Sequence, residues 1–539
     1  MRARDILASH GELLAGAEGG VQCLRDLVID FGMQGLLVEQ DSSDAPAEAS
    51  LCAAREAAPA RDKSWKLVEP TLDSKDRNDC LPTGWALASI NDCGRFINGI
   101  GFKKAEWKSD GLPIIRIQNL TDESKPFNYA QGDYPEDHLV EDGDLLVSWS
   151  ASLDAFVWRR GPAVVNQHIF KVVPFRELVE PRFLYWLLRR TIRQMVRGEH
   201  MRGMGMKHIK RGPFLSHAVA IPPLKEQARI VSKVDELMTL CDELEEKQQH
   251  RHTVRRRFQT SALDVLANAE SAEELAESWK RVRDNWDAVT ERGDDLGPIR
   301  DTLMQLAVRG RLTAQSPQEN VTGDLVPPEA DIAVPDWLPS NWRVARLDEV
   351  ALVTGGITKG RKLEGRELVS IPYLRVANVQ AGSLQLGVMK EIEIPVEEVE
   401  KYRLEAGDVL LTEGGDWDKL GRSAIWRDEL PLCGHQNHVF RARPHQHLVT
   451  PEWLSLFTNS PDGRSYFQTC AKRTTNLASI NMRQLRACAV PIPPLSEQVR
   501  VREELDRLFI LCDELEQHLS RQERLSSRLA ESAVHSLTT

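Results

Sequence analysis

The 539 residues of this chain are too many for one hydrophobic core and predict three or four structural units, at ~100 to 200 residues per domain. Hydrophobic residues make up 41% of the chain, but no run reaches the ~18 apolar residues of a membrane span and the first residues lack the apolar stretch of a secretory signal, so we expect a soluble, cytoplasmic protein. Nine cysteines without a C-x-x-C pair argue against a disulfide framework and a zinc site, and the net charge of −11 argues against nucleic-acid binding unless basic residues are grouped locally.

Two segments near the starts of the two halves repeat each other. RDLVIDFGMQGLLVEQ (25–40) aligns with RDTLMQLAVRGRLTAQ (300–315). Each is followed by a polar stretch rich in Pro and Ala, a composition typical of flexible linkers. The pattern predicts an N-terminal helical segment at 1–40 and linkers at 41–80 and 316–336 that need no fixed structure.

After each linker the chain enters a folded segment through the same motif, LPTGW at 81–85 and LPSNW at 338–342. Three further pairs follow: GLPIIRIQNL with SIPYLRVANV, VEDGDLLVSW with LEAGDVLLTE, and NQHIFKVVP with QNHVFRARP. Their short apolar runs, β-branched residues and Gly-Asp turns are typical of strands. We therefore predict two mixed α/β globules, at 81–224 and 337–495.

Each globule leads into the same helix, IPPLKEQARIVSKVDELMTLCDELE from position 221 and IPPLSEQVRVREELDRLFILCDELE from position 492, identical at 15 of 25 positions. Apolar residues recur at alternating steps of four and three, which is the pattern of a coiled-coil seam. The seams consist of Ile230, Val234, Leu237, Cys241 and Leu244, and of Val501, Leu505, Leu508, Cys512 and Leu515.

The first helix is expected to run from Lys225 to about Leu266, or ~63 Å at ~1.5 Å per residue. It opens a central helical region at 225–315, and the second helix fills 496–539. Because the seams are alike, the helices are expected to pair. The predicted fold is mixed α/β, with two globular α/β domains in a pseudo-two-fold arrangement separated by a pair of long antiparallel coiled-coil helices.

Catalytic signatures are weak. GGITKGRK lacks the Lys-Ser/Thr ending of a phosphate-binding loop, no H-E-x-x-H is present, and EEK (245–247) lies on the predicted coiled coil. HQNH (435–438) could suggest a metal or base site, but NQH (166–168) repeats it, and the preferred interpretation of His168 and His438 is a structural imidazole buried against a neighbouring strand. We predict no catalytic residue and no metal ligand.

Basic residues are grouped in matching places. Residues 189–211 carry a net charge of +7 and residues 461–486 one of +4, and Lys or Arg side chains neutralise DNA phosphates while Asn and Thr among them can read bases. Ordinary solvated loops are the alternative. The candidate DNA-binding residues are Lys103, Lys104, Arg197, Arg202, Lys207, Lys210, Arg211, Lys359, Arg361, Lys362, Lys419, Arg422, Lys472, Arg473, Thr474 and Asn476.

Together these motifs resemble the DNA specificity subunits of type I restriction-modification systems. The likeness rests on the twin IPPL-x-EQ-x-R openings, the LCDELE seam, the LP-x-x-W motifs, the Gly-Asp turns and LMQLAVRGRL (303–312), and it covers essentially the whole chain. It implies a non-catalytic subunit whose two globules are target recognition domains, each reading one half of a bipartite double-stranded DNA target.

The resemblance also implies partners. The long helices would set the spacing of the half-sites and dock two methyltransferase (M) subunits, and restriction (R) subunits would join them. This chain would bind no cofactor, since S-adenosylmethionine, ATP and Mg would belong to the partner subunits. Three alternatives stay open: a stand-alone methyltransferase or nuclease, a DNA-binding coiled-coil scaffold without sequence readout, and a specificity-like subunit of another phage-defence system.

Overall fold

The computed structural model describes residues 16–17, 19–62, 65–71, 81–197, 208–316, 318–321, 334–473 and 478–538. The chain forms two compact units: the first contains Met1–His250 and Glu523–Thr539, and the second contains Arg251–Gln522. None of the helices in the described ranges combines the length and apolar composition needed to cross a membrane. The predicted mixed α/β class, with two globules and two long helices, is confirmed.

Helices and strands alternate irregularly along the first unit. Its helices are α1 (Gly20–Met33), α2 (Ala47–Arg61), α3 (Ile117–Thr121), α4 (Pro181–Arg197), α5 (Arg211–Leu215) and the first part of α6 (Leu224–Ala267). Its strands are β1 (Ala86–Ser89), β2 (Gly94–Asn98), β3 (Leu112–Ile115), β4 (Asn128–Ala130), β5 (Leu139–Val140), β6 (Leu145–Ser148), β7 (Asp154–Val157), β8 (Ala163–Val165), β9 (Ile169–Pro174) and β10 (Ala218–Ile221).

Two four-stranded sheets form the first globule, in the orders β2-β9-β6-β7 and β4-β3-β8-β5. β3 and β8 run parallel, with Ile114 opposite Val164, whereas the other pairs in these sheets are antiparallel. All four residues of β6 are buried, which suits a central strand covered on both faces. The amphipathic helix α4 packs its apolar stripe on this sheet, with Phe183, Leu184 and Leu188 fully buried.

The second unit repeats this plan with more short strands. Its helices are the rest of α6, α7 (Ala272–Asp284), α8 (Trp286–Val289), α9 (Leu296–Val308), α10 (Leu347–Val350), α11 (Val399–Tyr402), α12 (Pro451–Asn459), α13 (Pro461–Cys470), α14 (Met482–Arg486) and the first part of α15 (Leu495–Thr538). Its first strands are β11 (Arg343–Arg346), β12 (Ala351–Thr354), β13 (Leu368–Leu374), β14 (Val379–Gln380), β15 (Ser383–Leu384) and β16 (Lys390–Pro395). The others are β17 (Val409–Thr412), β18 (Gly414–Gly415), β19 (Ser423–Ile425), β20 (Gly434–His435), β21 (Val439–Pro444), β22 (Lys472–Arg473), β23 (Ala478–Ser479) and β24 (Ala489–Ile492).

The central sheet of the second globule has the order β12-β21-β17-β19, and a second sheet has the order β16-β13-β20. A small ribbon, β18-β23-β22, continues from the end of β17 and carries part of the predicted basic segment. The predicted Gly-Asp turns are confirmed. Gly143 (φ 98°) and Gly407 (φ 93°) adopt left-handed conformations that suit glycine, and a buried strand begins two residues later in each unit.

The repeated LP-x-x-W and IPPL-x-EQ motifs meet in each unit. β1 pairs with β10, and β11 pairs with β24, so each entry strand lies beside the strand that leads into the long helix. The Trp85 indole donates a hydrogen bond to Glu226 at 3.1 Å, and the Trp342 indole donates one to Glu497 at 2.9 Å. Burial raises the pKa of both carboxyls, although these indole bonds oppose the shift.

The glutamine of each IPPL-x-EQ motif holds the entry to a globule helix. Gln227 accepts a hydrogen bond from the backbone N–H of Glu180 at 2.8 Å, directly before α4, and Gln498 accepts one from Thr450 at 2.8 Å, directly before α12. Pro181 and Pro451 then begin these helices, where the missing N–H costs nothing. The repeat is therefore a structural joint between the globule and the long helix.

The coiled-coil seams pack against short helices of their own units. Ile230, Val234 and Leu237 contact the cluster that contains Met33 of α1, and Cys241 and Leu244 contact the cluster that contains Leu27. In the second unit, Val501 and Leu505 share a cluster with Val308 of α9, Cys512 and Leu515 contact the cluster of Ile299, and Leu508 is half-buried. Pairing of the two seams with each other stays a prediction.

One charged contact repeats beside these seams. Arg25 of α1 donates to Asp242 at 2.6 Å and to Glu245 at 2.7 Å. Arg300 of α9 donates to Asp513 at 2.6 Å and to Glu516 at 2.8 Å. In each unit, therefore, two acidic residues of the LCDELE repeat form ion pairs with one arginine, and they also remain accessible to solvent.

The expectation of a structureless first linker is wrong for Ala47–Arg61, which forms α2. Leu51, Ala54 and Ala58 are buried in the core of the first unit. Asp44, just before this helix, forms a 2.7 Å ion pair with Arg229 of α6. Part of the second predicted linker, residues 317 and 322–333, lies outside the described residues.

Candidate nucleic-acid interface

In the first globule, the basic loop after β2 is tied to the Asn-Gln-His turn between β8 and β9. The backbone N–H of Ile100 donates to the Val165 carbonyl at 2.8 Å, and the N–H of Gln167 donates to the Ile100 carbonyl at 2.9 Å. Lys103 and Lys104 are exposed just beyond this contact.

The end of β6 lies on the other side of the same turn. The Trp149 N–H donates to the His168 carbonyl at 3.3 Å, and the Trp149 carbonyl accepts from the Ile209 N–H at 2.9 Å. Residues 99–104, 149–150, 166–168 and 208–211 therefore come together, and we call them the first loop cluster.

The second globule contains the same backbone arrangement. The Ile357 N–H donates to the His435 carbonyl at 2.7 Å, and the Asn437 N–H donates to the Ile357 carbonyl at 3.0 Å. Glu413 takes the place of Trp149, since its N–H donates to the His438 carbonyl at 3.0 Å and its carbonyl accepts from the Ile480 N–H at 2.9 Å.

Residues 356–362, 413–419, 436–438, 472–473 and 478–480 form the second loop cluster. A glycine allows the basic loop to approach the turn in each cluster. A Cβ on Gly99 would lie 2.2 Å from the Asn166 carbonyl oxygen, and one on Gly356 would lie 2.2 Å from the His435 carbonyl oxygen. A side chain cannot fit at either position, so the close contact requires glycine.

The first loop cluster contains some of the predicted basic residues as exposed side chains. Lys103, Lys104 and Lys210 are exposed. Arg211 donates to the Phe96 carbonyl at 3.1 Å and lies 5.8 Å from the Phe170 ring centre, so it also supports the globule. The Arg197 side chain and residues Arg202 and Lys207 lie outside the described residues.

Three arginines that contribute to the charge of residues 189–211 form ion pairs with aspartates of the first unit. Arg189 pairs with Asp154 at 3.0 Å, Arg190 pairs with Asp30 at 3.1 Å, and Arg193 contacts Asp26 and Asp30. The net charge of +7 therefore overstates the charge available for DNA. Among the described basic side chains of this segment, the exposed ones are Lys210 and Arg211, which lie after α4.

In the second loop cluster, the basic loop is also partly neutralised. Lys359 and Lys362 are exposed, and Lys359 lies 5.3 Å from the Tyr373 ring centre. Arg361 forms a 2.7 Å ion pair with Glu398, and this bond lowers the pKa of the Glu398 carboxyl. Arg361 therefore anchors the basic loop to Glu398.

The ribbon β18-β23-β22 carries two further exposed basic side chains of the second cluster. Lys472 and Arg473 are exposed on β22, and the Arg473 guanidinium lies 4.7 Å from the Trp417 ring centre. Lys419 pairs with Asp416, whereas Arg422 is half-buried and donates to the Val376 carbonyl at 3.1 Å. Thr474 and Asn476 lie outside the described residues.

The interpretation of His168 and His438 as buried structural imidazoles is wrong. Both are exposed in the loop clusters. The buried histidine is His435, whose Nδ1 lies 2.6 Å from the Val439 carbonyl and whose pKa burial lowers to about 4. No group of three potential metal-ligating side chains occurs among the described residues.

Sequence reasoning missed Trp149, Glu413 and Trp417. A usable signal was present, because the aligned segments VEDGDLLVSW and LEAGDVLLTE place Trp149 and Glu413 in the same position with different chemistry. In the structure each makes backbone bonds to the turn histidine of its cluster and to the segment that contains Ile209 or Ile480. The two clusters therefore share one backbone frame and differ in the side chain that this frame holds.

Two segments of the chain match the same family model. Residues 82–251 and 339–522 match the family model described as "Type I restriction modification DNA specificity domain". The type I restriction enzyme EcoAI specificity subunit of Escherichia coli is 24% identical over 561 residues, which cover 95% of this chain and 93% of that protein. The EcoEI specificity subunit of Escherichia coli is likewise 24% identical, with the same coverage of 95% and 93%.

Solved structures also align with most of the chain. The HsdS subunit from Thermoanaerobacter tengcongensis aligns with 86% of this chain and 98% of its own, at 17% identity and a TM-score of 0.39. A chain from work on "complex assembly and conformational transition of the type I R-M system" aligns with 85% of this chain and 99% of its own, at 18% identity and a TM-score of 0.48.

Proposed function

We propose, on the premise that this chain belongs to the type I restriction-modification DNA specificity family, that each of its globules reads one half of a bipartite DNA target. The chain is the non-catalytic DNA specificity subunit of a type I restriction-modification system and part of such a complex.

The observation that carries this proposal is the duplicated loop cluster. The same backbone bonds hold Trp149 in the first unit and Glu413 in the second. Two sites with one frame and different central side chains suit two half-sites of different sequence. Exposed basic residues beside each centre, such as Lys210 and Lys472, would contact phosphates and fix the register on the duplex.

The long helices would serve as a spacer between the half-sites and as the docking surface for two methyltransferase subunits. α6 and α15 each contain 44 residues, which corresponds to about 66 Å of helix. That length is close to two turns of DNA, at ~34 to 36 Å per turn, so both half-sites would fall within about two turns. Several apolar side chains on these helices, including Leu240, Ile510 and Leu511, are exposed and available to a partner.

Restriction subunits would join this core, and S-adenosylmethionine, ATP and Mg would be bound by the partner subunits. This assignment supports a cytoplasmic location, where the DNA and the partners are found. It also means that methyl transfer is expected from the assembled complex and not from this chain alone.

Selection from a random duplex library tests the proposal. The complex of this chain with its methyltransferase partner is incubated with the library, and bound molecules are sequenced. We expect enrichment of two short, different half-sites at one fixed separation. Salt-sensitive binding without any enriched sequence would contradict the proposal and favour a DNA-binding scaffold.

A further inference from the structure

Trp149 in the first unit and Glu413 in the second occupy the same position in the two loop clusters and differ in chemistry. Both residues directly follow a central strand, and both are half-buried. Each donates its N–H to the carbonyl of the turn histidine, and its carbonyl accepts from Ile209 in the first cluster or from Ile480 in the second. The backbone therefore presents the two side chains in the same way.

Their surroundings give the two side chains different abilities. The Trp149 ring lies 5.1 Å from the His168 ring, edge to face, and 6.0 Å from the Phe170 ring. This group offers an aromatic, largely apolar surface. An indole has one N–H donor and no acceptor, so Trp149 cannot accept a hydrogen bond from a base.

Glu413 offers the opposite chemistry. Its Oε2 is hydrogen-bonded to Nδ1 of His438, and its side chain remains 28% exposed. Among the residues that the structure describes, Oε1 has no donor. An ionised carboxylate is an acceptor only, and in the major groove such a group selects the exocyclic amino group of cytosine or adenine.

The charge around Glu413 makes this contact feasible. A carboxylate alone would be repelled by DNA phosphates, but Lys472 and Arg473 are exposed on the neighbouring ribbon. β18, which follows Glu413, pairs with β23, and β23 pairs with β22. Gly414, which follows Glu413, and Lys472 both pair with Ser479, so the acceptor directly precedes the ribbon that carries these cations.

We propose that Glu413 is a base-reading residue that requires an amino-bearing base, cytosine or adenine, at one position of the half-site bound by the second globule. His438 is its positioning residue. Trp149 makes apolar contact at the equivalent position of the other half-site and requires no amino group there. This inference rests on the proposed function and specifies part of its readout.

The test uses the complex of the full chain with its methyltransferase partner and a set of duplexes in which each base pair of the wild-type target is replaced in turn. Methylation rates are compared for wild type, Glu413→Gln and the matched control Glu393→Gln, an exposed carboxylate on β16. Gln adds an N–H donor at unchanged size, so it no longer requires an amino group.

Glu413→Gln is expected to lose discrimination by about tenfold at one base pair of one half-site, with the other half-site unaffected. His438→Asn should weaken discrimination at the same base pair, and Glu393→Gln should retain the wild-type profile. If Glu413→Gln does not assemble, Glu413→Asp, which shifts the carboxylate by one methylene group, is measured with the same expectation.

An unchanged profile of the Glu413 variants, or an equal loss over both half-sites, would overturn the inference. Failure of the proposed function would be seen separately, because the wild-type complex would then show no bipartite preference at all.

Discussion

The indole Nε1 of Trp342 donates a 2.9 Å hydrogen bond to the buried carboxylate of Glu497, and both side chains are at most 1% exposed. Gln315 donates to the other oxygen of the same carboxylate. Three repeated sequence segments therefore converge on one acidic group, and Trp85 makes the equivalent bond to Glu226 in the first unit. This joint fixes where each globule ends and each long helix begins.

Replacing Glu497 by Ala should destabilise the second unit. The substitution leaves the Trp342 N–H buried without its acceptor, which costs about 1 to 3 kcal/mol. Urea unfolding followed by tryptophan fluorescence measures the effect. Glu503→Ala, at an exposed position of the same helix, is the control and should change the free energy of unfolding by less than about 0.5 kcal/mol. Equal effects of the two variants would contradict the structural role of Glu497.

The buried imidazole of His435 should make the second unit sensitive to acid. Its pKa is about 4 in the folded chain, against an ordinary value of 6.5, so only the unfolded chain binds a proton as the pH falls from 6.5 towards 4. Stability is therefore lost on acidification, by about 2 to 3 kcal/mol at pH 4.5.

The comparison of wild type with His435→Gln isolates this effect. The variant should be less stable at pH 7, because it loses the Val439 contact, but the difference should narrow as the pH is lowered to 4.5. His447→Gln, at an exposed position, should leave the pH dependence unchanged. A stability difference between wild type and His435→Gln that stays constant with pH would be the contrary result.

Gly310 should not tolerate alanine. It has a φ of +68°, and an added Cβ would lie 2.6 Å from Cγ of Pro339 and 3.0 Å from the Trp342 ring. Gly310→Ala is expected to cost more than about 1 kcal/mol, because strain of the left-handed backbone adds to the clash. Gly297→Ala, in α9 with open space around its Cβ, should be neutral or stabilising. Thermal unfolding of both variants tests this difference.

Lys472 should contribute to DNA binding through a phosphate. For Lys472→Ala in the assembled complex, the slope of log K against log salt should decrease by about 0.9, and affinity should fall alike for specific and non-specific DNA. Lys390→Ala, also an exposed lysine on a strand, is the control. A salt dependence that matches wild type would remove Lys472 from the interface.

The two globules and the two long helices could be predicted from the sequence because matching segments occur in both halves of the chain. The first helix was predicted from Lys225 to about Leu266 and runs from Leu224 to Ala267, since its Pro-Pro start and heptad pattern are local signals. Helix α2 was missed because its buried face consists mainly of alanines, such as Ala54 and Ala58, whose composition resembles a linker. Packing against the globule determines that helix.

The candidate site was less predictable, because it depends on partners far apart in the chain. Arg190 and Asp30 are separated by 160 residues, and nothing local indicates that this arginine is occupied. His435 and His438 lie in one short motif, and the repeat could not show that the first points inwards and the second outwards. The aligned strand segments already place Glu413 at the position of Trp149, but only the structure shows that both residues make the same backbone bonds to the turn histidine.

The most direct test of the central claim, that two unlike globules read two halves of one target, is genome-wide mapping of methylated bases after co-expression of this chain with its methyltransferase partner. The account predicts one motif of two short, different half-sites separated by a constant gap of unspecified bases. A continuous motif, a variable gap, or methylation without sequence preference would contradict it.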